Sequence, residues 1–179
     1  MPEGRLTATA NIRIVLVGFM GAGKTTVGRL LGAMLQSRFL DLDDEIVQRD
    51  GRTIPEIFGH AGEAAFRQLE REALRDLLAR AAPVVLAIGG GAFLQPENAV
   101  LLRQQGYASV FLDAPVEELH RRCAPHAASR PLFRDENQFR QLYECRRSAY
   151  MTADVRVDTA GKTPAQVAAE VASTLGVSV

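Results

Sequence analysis

The sequence predicts a three-layer α/β/α domain on a five-stranded parallel sheet, and three observations predict it. Two short all-apolar runs, Ile14-Val15-Leu16-Val17 and Val84-Val85-Leu86-Ala87-Ile88, read as strands buried on both faces. Strand and helix patterns alternate five times along the chain. The length, 179 residues, and a balance of 47% hydrophobic to 23% charged residues suit one globular domain.

Residues 1–11 lack periodicity and read as a loose tail, leaving 12–179 as the domain. Arg13–Val17 is the first strand. It runs into Gly18-Phe19-Met20-Gly21-Ala22-Gly23-Lys24-Thr25, and a helical pattern continues to about Gln36. Strand, glycine loop and helix with the spacing G-x-x-x-x-G-K-[ST] make a phosphate-binding loop. Glycines let successive backbone N–H groups face an anion, and the helix adds its unpaired N–H groups and the positive end of its dipole. Gly21, Ala22, Gly23, Lys24, Thr25 and Thr26 are therefore candidate nucleotide contacts. Lys24 would reach the β/γ-phosphates, and the Thr25 hydroxyl would take a place on Mg²⁺.

Arg38–Asp43 is a short strand ending in carboxylates, and Asp43-Asp44-Glu45 opens the next helix, which ends near Asp50-Gly51. Asp41 and Asp43, two apart at a strand end, can face one cleft. One would turn toward Mg²⁺ and its waters, the other toward a substrate hydroxyl; helix capping by Asp43 is the plainer reading and excludes neither role. Thr53-Ile54-Pro55-Glu56 has capping-box spacing. After His60-Ala61-Gly62 a long helix is expected from Glu63 to about Arg80. Its Arg67 and Glu70 are either a solvated i,i+3 pair or an arginine held ready for a carboxylate by Glu70.

Val84–Ile88 leads straight into Gly89-Gly90-Gly91. Each glycine costs backbone entropy, so three together make sense where something approaches the backbone closely. Pro96 starts a helix that stops at Gly106, Tyr107–Leu112 is the fourth strand and Pro115–Arg122 a short helix. Residues 123–136 lose periodicity and read as a mobile lid, whose Arg130 could swing over a γ-phosphate. Asn137–Met151 is helical, with Phe139, Leu142 and Tyr143 on one side and Arg146 and Arg147 further along. Val155–Asp158 is the fifth strand, and Thr163-Pro164-Ala165-Gln166 caps a last helix to about Leu175. In such a sheet ligands bind outside the carboxyl ends of the strands. The glycine loop, Asp41/Asp43 and Gly89–Gly91 all sit there, so three distant stretches should converge.

A net charge of zero offers no basic field to nucleic acid or an anionic membrane. No apolar run approaches the ~18 residues of a membrane span, and the N-terminus lacks a signal-peptide core. Cys123 and Cys145, 22 residues apart without metal spacing, read as free thiols of a reducing compartment, which makes a cytoplasmic location the expectation. Lys24 and Lys162 are the two lysines among 21 basic residues, which singles out Lys24 in the glycine loop. His60, His120 and His126 form no ligand spacing. Asp158-Thr159-Ala160-Gly161 matches a GTPase D-x-x-G switch, but it falls far beyond the glycine loop, and no guanine signature accompanies it.

Taken in order, these stretches resemble the shikimate kinase family. The resemblance rests on the loop at Gly18–Thr25, Phe39-Leu40-Asp41-Leu42-Asp43, Gln48–Ile54, Gly62-Glu63-Ala64-Ala65-Phe66-Arg67-Gln68-Leu69-Glu70, Gly89–Gly91, Arg130-Pro131-Leu132, and Arg146 four residues before Tyr150. It implies a P-loop kinase fold with strand order 2-3-1-4-5 and transfer of the γ-phosphoryl of ATP to the 3-hydroxyl of shikimate. It also implies Asp43, Arg67, Gly89, Gly90, Gly91 and Arg146 around shikimate, and Thr25 on Mg²⁺ with Asp41 behind its waters. Lys24, Asp43 and Arg130 would carry the chemistry. Arg122, or Arg121 beside it, and the turn at Lys162 would flank adenine. A monomer is expected. A gluconate or nucleoside monophosphate kinase, or a nucleotide switch without transfer, would not need Asp-x-Asp, Phe-Arg-x-x-Glu and three glycines together.

Overall fold

A computed structural model describes residues 13–80, 84–129, 132 and 135–177. The expected tail at 1–11 lies outside the described residues, as do Arg130 and Pro131. Five strands, β1 (Arg13–Val17), β2 (Arg38–Asp41), β3 (Val84–Ala87), β4 (Ala108–Asp113) and β5 (Val155–Asp158), form one sheet in the order β2-β3-β1-β4-β5. Every pairing is parallel; Ile14 stands opposite Val85 on one side and Ala108 on the other. The central strand is thus sealed by neighbours at both edges and by helices on both faces. That is why Ile14, Val15, Leu16 and Val17 are all apolar and all buried, with no alternation.

The helices are α1 (Lys24–Met34), α2 (Leu42–Asp50), α3 (Ile54–Ala79), α4 (Pro96–Gln104), α5 (Val116–Cys123), α6 (Glu136–Tyr150) and α7 (Pro164–Thr174). α1 packs against α7, α3 against α4, and α5 against α6. Gly28 and Gly32 cut a notch into α1 where the Phe39 ring of β2 lies, and a Cβ on Gly28 would overlap that ring. Among the described residues no helix is long and apolar enough to cross a membrane.

Several boundaries differ from the sequence reading. α1 stops at Met34 rather than Gln36, and β2 at Asp41 rather than Asp43, which places Asp43 in the first turn of α2. The capping box at Thr53 and Glu56 is present, and the helix it opens continues through Glu63. Helical geometry breaks at one residue, Gly62 (φ 78°, ψ 174°), a left-handed φ that favours glycine. The segment read as a mobile lid begins with helical residues: α5 runs to Cys123 and a 3₁₀ helix covers Ala124–Ser129.

Candidate active site

The carboxyl ends of β1, β2 and β3 open into one cleft of about 490 Å³. Its walls bring together Gly21, Gly23, Lys24, Thr25 and Thr26 from the glycine loop, Asp41 and Asp43 after β2, Arg67 and Glu70 from α3, Gly89–Gly91 after β3, Arg122 from α5 and Arg146 from α6.

The loop is held from below. Phe19 is fully buried, with its ring edge-on to Phe139 (5.0 Å) and Tyr143 (5.5 Å) of α6. Gly21 has φ 82°, and a Cβ there would stand 2.7 Å from the Leu119 carbonyl oxygen, so the position excludes side chains on both counts. Lys24 Nζ donates to the carbonyls of Gly18 (2.9 Å) and Phe19 (3.1 Å), which folds the ammonium back over the loop. Ala22 does not line the cleft; its side chain is buried and its N–H donates to the Phe19 carbonyl.

The two aspartates divide their work differently from the simplest sequence reading. Asp41, not Asp43, caps α2: its Oδ1 accepts from the Asp43 N–H (3.1 Å), and its Oδ2 accepts from Thr25 Oγ1 (2.6 Å). Thr25 and Asp41 thus present hard oxygen donors beside the phosphate loop, a set that suits Mg²⁺ completed by water and phosphate. Among the described residues there is no cluster of three or more His, Cys, Asp or Glu that could hold a metal without such ligands. Asp43, released from capping, lines the cleft. Its Oδ1 is sealed from solvent and has no hydrogen-bond donor among the described residues. Burial, reinforced by Asp41, pushes its carboxyl up to about 6, against the opposing pull of Lys24 and Arg67.

On α3, Arg67 Nη1 donates to both oxygens of Glu70 (3.0 and 2.8 Å), and Nη2 to Glu63 (3.1 Å). Glu70 is fully buried, so the pair is not a solvated surface contact. Burial pushes the Glu70 carboxyl up to about 7 although Arg67 pulls it down. The glycine run accommodates this crowding. A Cβ on Gly91 would overlap the Arg67 guanidinium, and one on Gly89 would stand 3.0 Å from Glu70 Oε1 and 3.3 Å from Asp43 Oδ1. Arg146 is 8% exposed, with Nη1 3.5 Å from where a Gly90 Cβ would lie.

Of the two arginines considered for the nucleotide base, Arg122 lines the cleft, paired with Glu118 and 3.3 Å from the Gly21 carbonyl, whereas the Arg121 side chain is exposed. The D-x-x-G stretch meets this corner through Thr159, whose hydroxyl and carbonyl accept from Arg122 at 3.4 Å. Lys162 is not brought to the cleft wall; its Nζ pairs with Glu170 at 2.6 Å. Leu132 of the lid lines the cleft.

Sequence reasoning missed the apolar wall of Ile54, Phe58 and Phe66, with Phe58 and Phe66 rings 4.7 Å apart, because its helical spacing is that of core residues. It also gave no role to Tyr150, whose hydroxyl donates to the Gly90 carbonyl. The spacing of Phe139, Tyr143, Arg146 and Tyr150 along one buried face of α6 was the available signal.

A family model described as Shikimate kinase matches residues 20–176. The Shikimate kinase of Geobacter sulfurreducens is 46% identical over 163 residues, covering 89% of this chain and 88% of that protein. That of Geobacter metallireducens is 41% identical over 175 residues, 96% of each. Among solved structures, shikimate kinase from Acinetobacter baumannii in complex with shikimate superimposes with a TM-score of 0.88 at 37% identity, covering 93% of this chain and 94% of that one.

Proposed function

Because this chain belongs to the shikimate kinase family, we propose that its cleft holds the two substrates from opposite sides, the nucleotide on the glycine loop and the acid between α3 and α6. The enzyme transfers the γ-phosphoryl of ATP to the 3-hydroxyl of shikimate, giving shikimate 3-phosphate on the route to chorismate and the aromatic amino acids. The observation that carries the assignment of residues is the convergence of Arg67 and Arg146 on the glycine run, with Asp43 between them and the phosphate loop.

In this reading Arg67 and Arg146 clamp the shikimate carboxylate, and Gly89–Gly91 let it approach the backbone. Asp43 accepts a hydrogen bond from the 3-hydroxyl, which supplies the donor its buried oxygen lacks. As the new O–P bond forms and the bond to ADP breaks, the hydroxyl proton passes to an Asp43 oxygen. The backbone N–H groups of Gly21–Thr26, Lys24 and Arg130 offset charge on the transferring group, and Arg122 flanks the base. Thr25 and Asp41 would hold Mg²⁺, which would supply charge neutralisation at the phosphates. The lid over 123–136 excludes water and limits ATP hydrolysis. We read the enzyme as a monomer, and Cys123 and Cys145, which are not joined in a disulfide, are in keeping with a cytoplasmic setting.

The direct test is ADP release with ATP·Mg²⁺ against a panel of acceptors including shikimate, gluconate and nucleoside monophosphates. Shikimate-dependent release is expected, and release with another acceptor alone would sink the residue assignment. Arg67→Lys is expected to raise the KM for shikimate about 10- to 100-fold with the KM for ATP unchanged. A point charge cannot span Glu70 and a carboxylate together, and a charged hydrogen bond contributes about 1.5–3 kcal/mol. An unchanged shikimate affinity by calorimetry would remove Arg67 from the site.

A further inference from the structure

Tyr150 lies behind the site. It is fully buried at the end of α6 and is absent from the cleft wall, yet it touches two groups that form that wall. Its hydroxyl donates to the Gly90 carbonyl oxygen at 2.5 Å, and it also meets the guanidinium of Arg146, one turn earlier on the same helix. A Cβ on Gly90 would stand 3.0 Å from the Tyr150 hydroxyl oxygen and 3.5 Å from Arg146 Nη1, so the three residues are closely packed. The ring cannot drift: its centroid lies 5.3 Å from that of Phe111 in β4. Further back along α6, the helix is pinned again, where Arg147 and, two turns from Tyr150, Tyr143 donate to Asp113 at 3.0 and 3.2 Å.

We propose that Tyr150 is a positioning residue for the acceptor acid, one that sets the Gly90–Gly91 peptide and the Arg146 guanidinium in a fixed mutual geometry. The peptide is planar, so a carbonyl drawn toward Tyr150 turns the Gly91 N–H to the opposite side, away from α6. The same hydroxyl lies in polar contact with the Arg146 guanidinium while donating to Gly90, which restricts the rotamers of a side chain that is otherwise costly to order. One oxygen thereby couples a backbone group and a charged side chain on two separate elements, a placement that suits a planar carboxylate. Tyr150 reaches no reacting atom and acts through its two neighbours. This rests on the reading of Arg146 as a shikimate contact.

The test is Tyr150→Phe, which keeps the ring and removes the oxygen. The KM for shikimate should rise about 5- to 30-fold, with kcat within about threefold and the KM for ATP within about twofold of wild type, from the loss of one hydrogen bond to a charged group. In an Arg146→Lys background the same substitution should have a clearly smaller effect, since only the part exerted through the Gly90 carbonyl remains. A shikimate KM that does not move, a parallel rise in the KM for ATP, or the full effect persisting beside Arg146→Lys would overturn the proposal. Thermal melting of each variant separates a loss of fold from a loss of positioning. If Arg146→Lys alone leaves the shikimate KM unchanged, the parent reading fails, and this proposal with it. If only Tyr150→Phe is silent, this proposal fails alone.

Discussion

Replacing Lys24 with alanine is expected to cut kcat/KM about a thousandfold while the chain stays folded. Lys24 sits at the first turn of α1 with its ammonium on the Gly18 and Phe19 carbonyls. From that perch it need only swing outward to meet the β/γ-phosphates. A charge placed against a transferring phosphoryl group acts mainly in the transition state, and one such donor is commonly worth two to three orders of magnitude. The structural cost is smaller. Two neutral acceptors lose a charged donor in a half-open loop, and the melting point should fall by no more than about 5 °C. Turnover within tenfold of wild type would remove Lys24 from the phosphate site. Unfolding at assay temperature would show that its main task is bracing the loop.

Asp43→Asn is expected to cut transfer by orders of magnitude and, at the same time, stabilise the empty protein above neutral pH. The carboxyl is pushed up to about 6 in the fold, so ionising it there is unfavourable. Its contribution to stability is therefore fully present below its ordinary value near 4 and lost as pH rises through about 6. At pH 7.5 the wild type carries a buried anion whose Oδ1 has no donor among the described residues, and asparagine carries no charge there. The upper bound from the shift is on the order of 2–3 kcal/mol, which corresponds to several degrees in melting point for a chain of this size. The gap should narrow as pH falls below about 6 and close below about pH 4. In activity, removal of the base should cost about 10²–10⁴ in kcat with ATP affinity retained. The wild-type kcat/KM for shikimate should fall with an acid limb near pH 6 as Asp43 takes up its proton in the free enzyme. Wild-type transfer in Asp43→Asn would leave Asp43 no part in the chemistry. A lower melting point for the variant at pH 7.5 would contradict the account of its burial.

The features legible in the sequence were those whose cause is local. Gly18–Thr25 announces itself because a phosphate loop needs its glycines and lysine at set spacings, and the central strand because four consecutive apolar residues can be buried on two faces. The parallel sheet followed from alternation, whereas its strand order came from family resemblance and not from pattern. What stayed hidden was decided by tertiary contact. Nothing in Asp-Leu-Asp says which carboxylate caps the helix; that depends on Thr25, 16 residues upstream, reaching Asp41. Arg67 and Glu70 have the spacing of an ordinary surface pair, and only the approach of Gly91 shows why the pair is buried. Lys162 was carried to the nucleotide by resemblance, and its Nζ pairs with Glu170 at 2.6 Å. The break at Gly62 was legible as a helix boundary but not as a single non-helical residue between two continuous stretches, since the same glycine signals either.

The cleft neutralises itself before any ligand arrives. Arg67 faces Glu70 and Glu63, Arg122 faces Glu118, and Lys24 rests on carbonyl dipoles, in a chain whose formal charge sums to zero. Such a protein casts little potential beyond the ~8 Å over which ions at physiological salt screen a charge. Both substrates are anions, yet neither is drawn in from afar. They arrive by unguided diffusion, so their association rates should respond only weakly to ionic strength. Selection is deferred to close range, where an anion must displace an existing partner to be held.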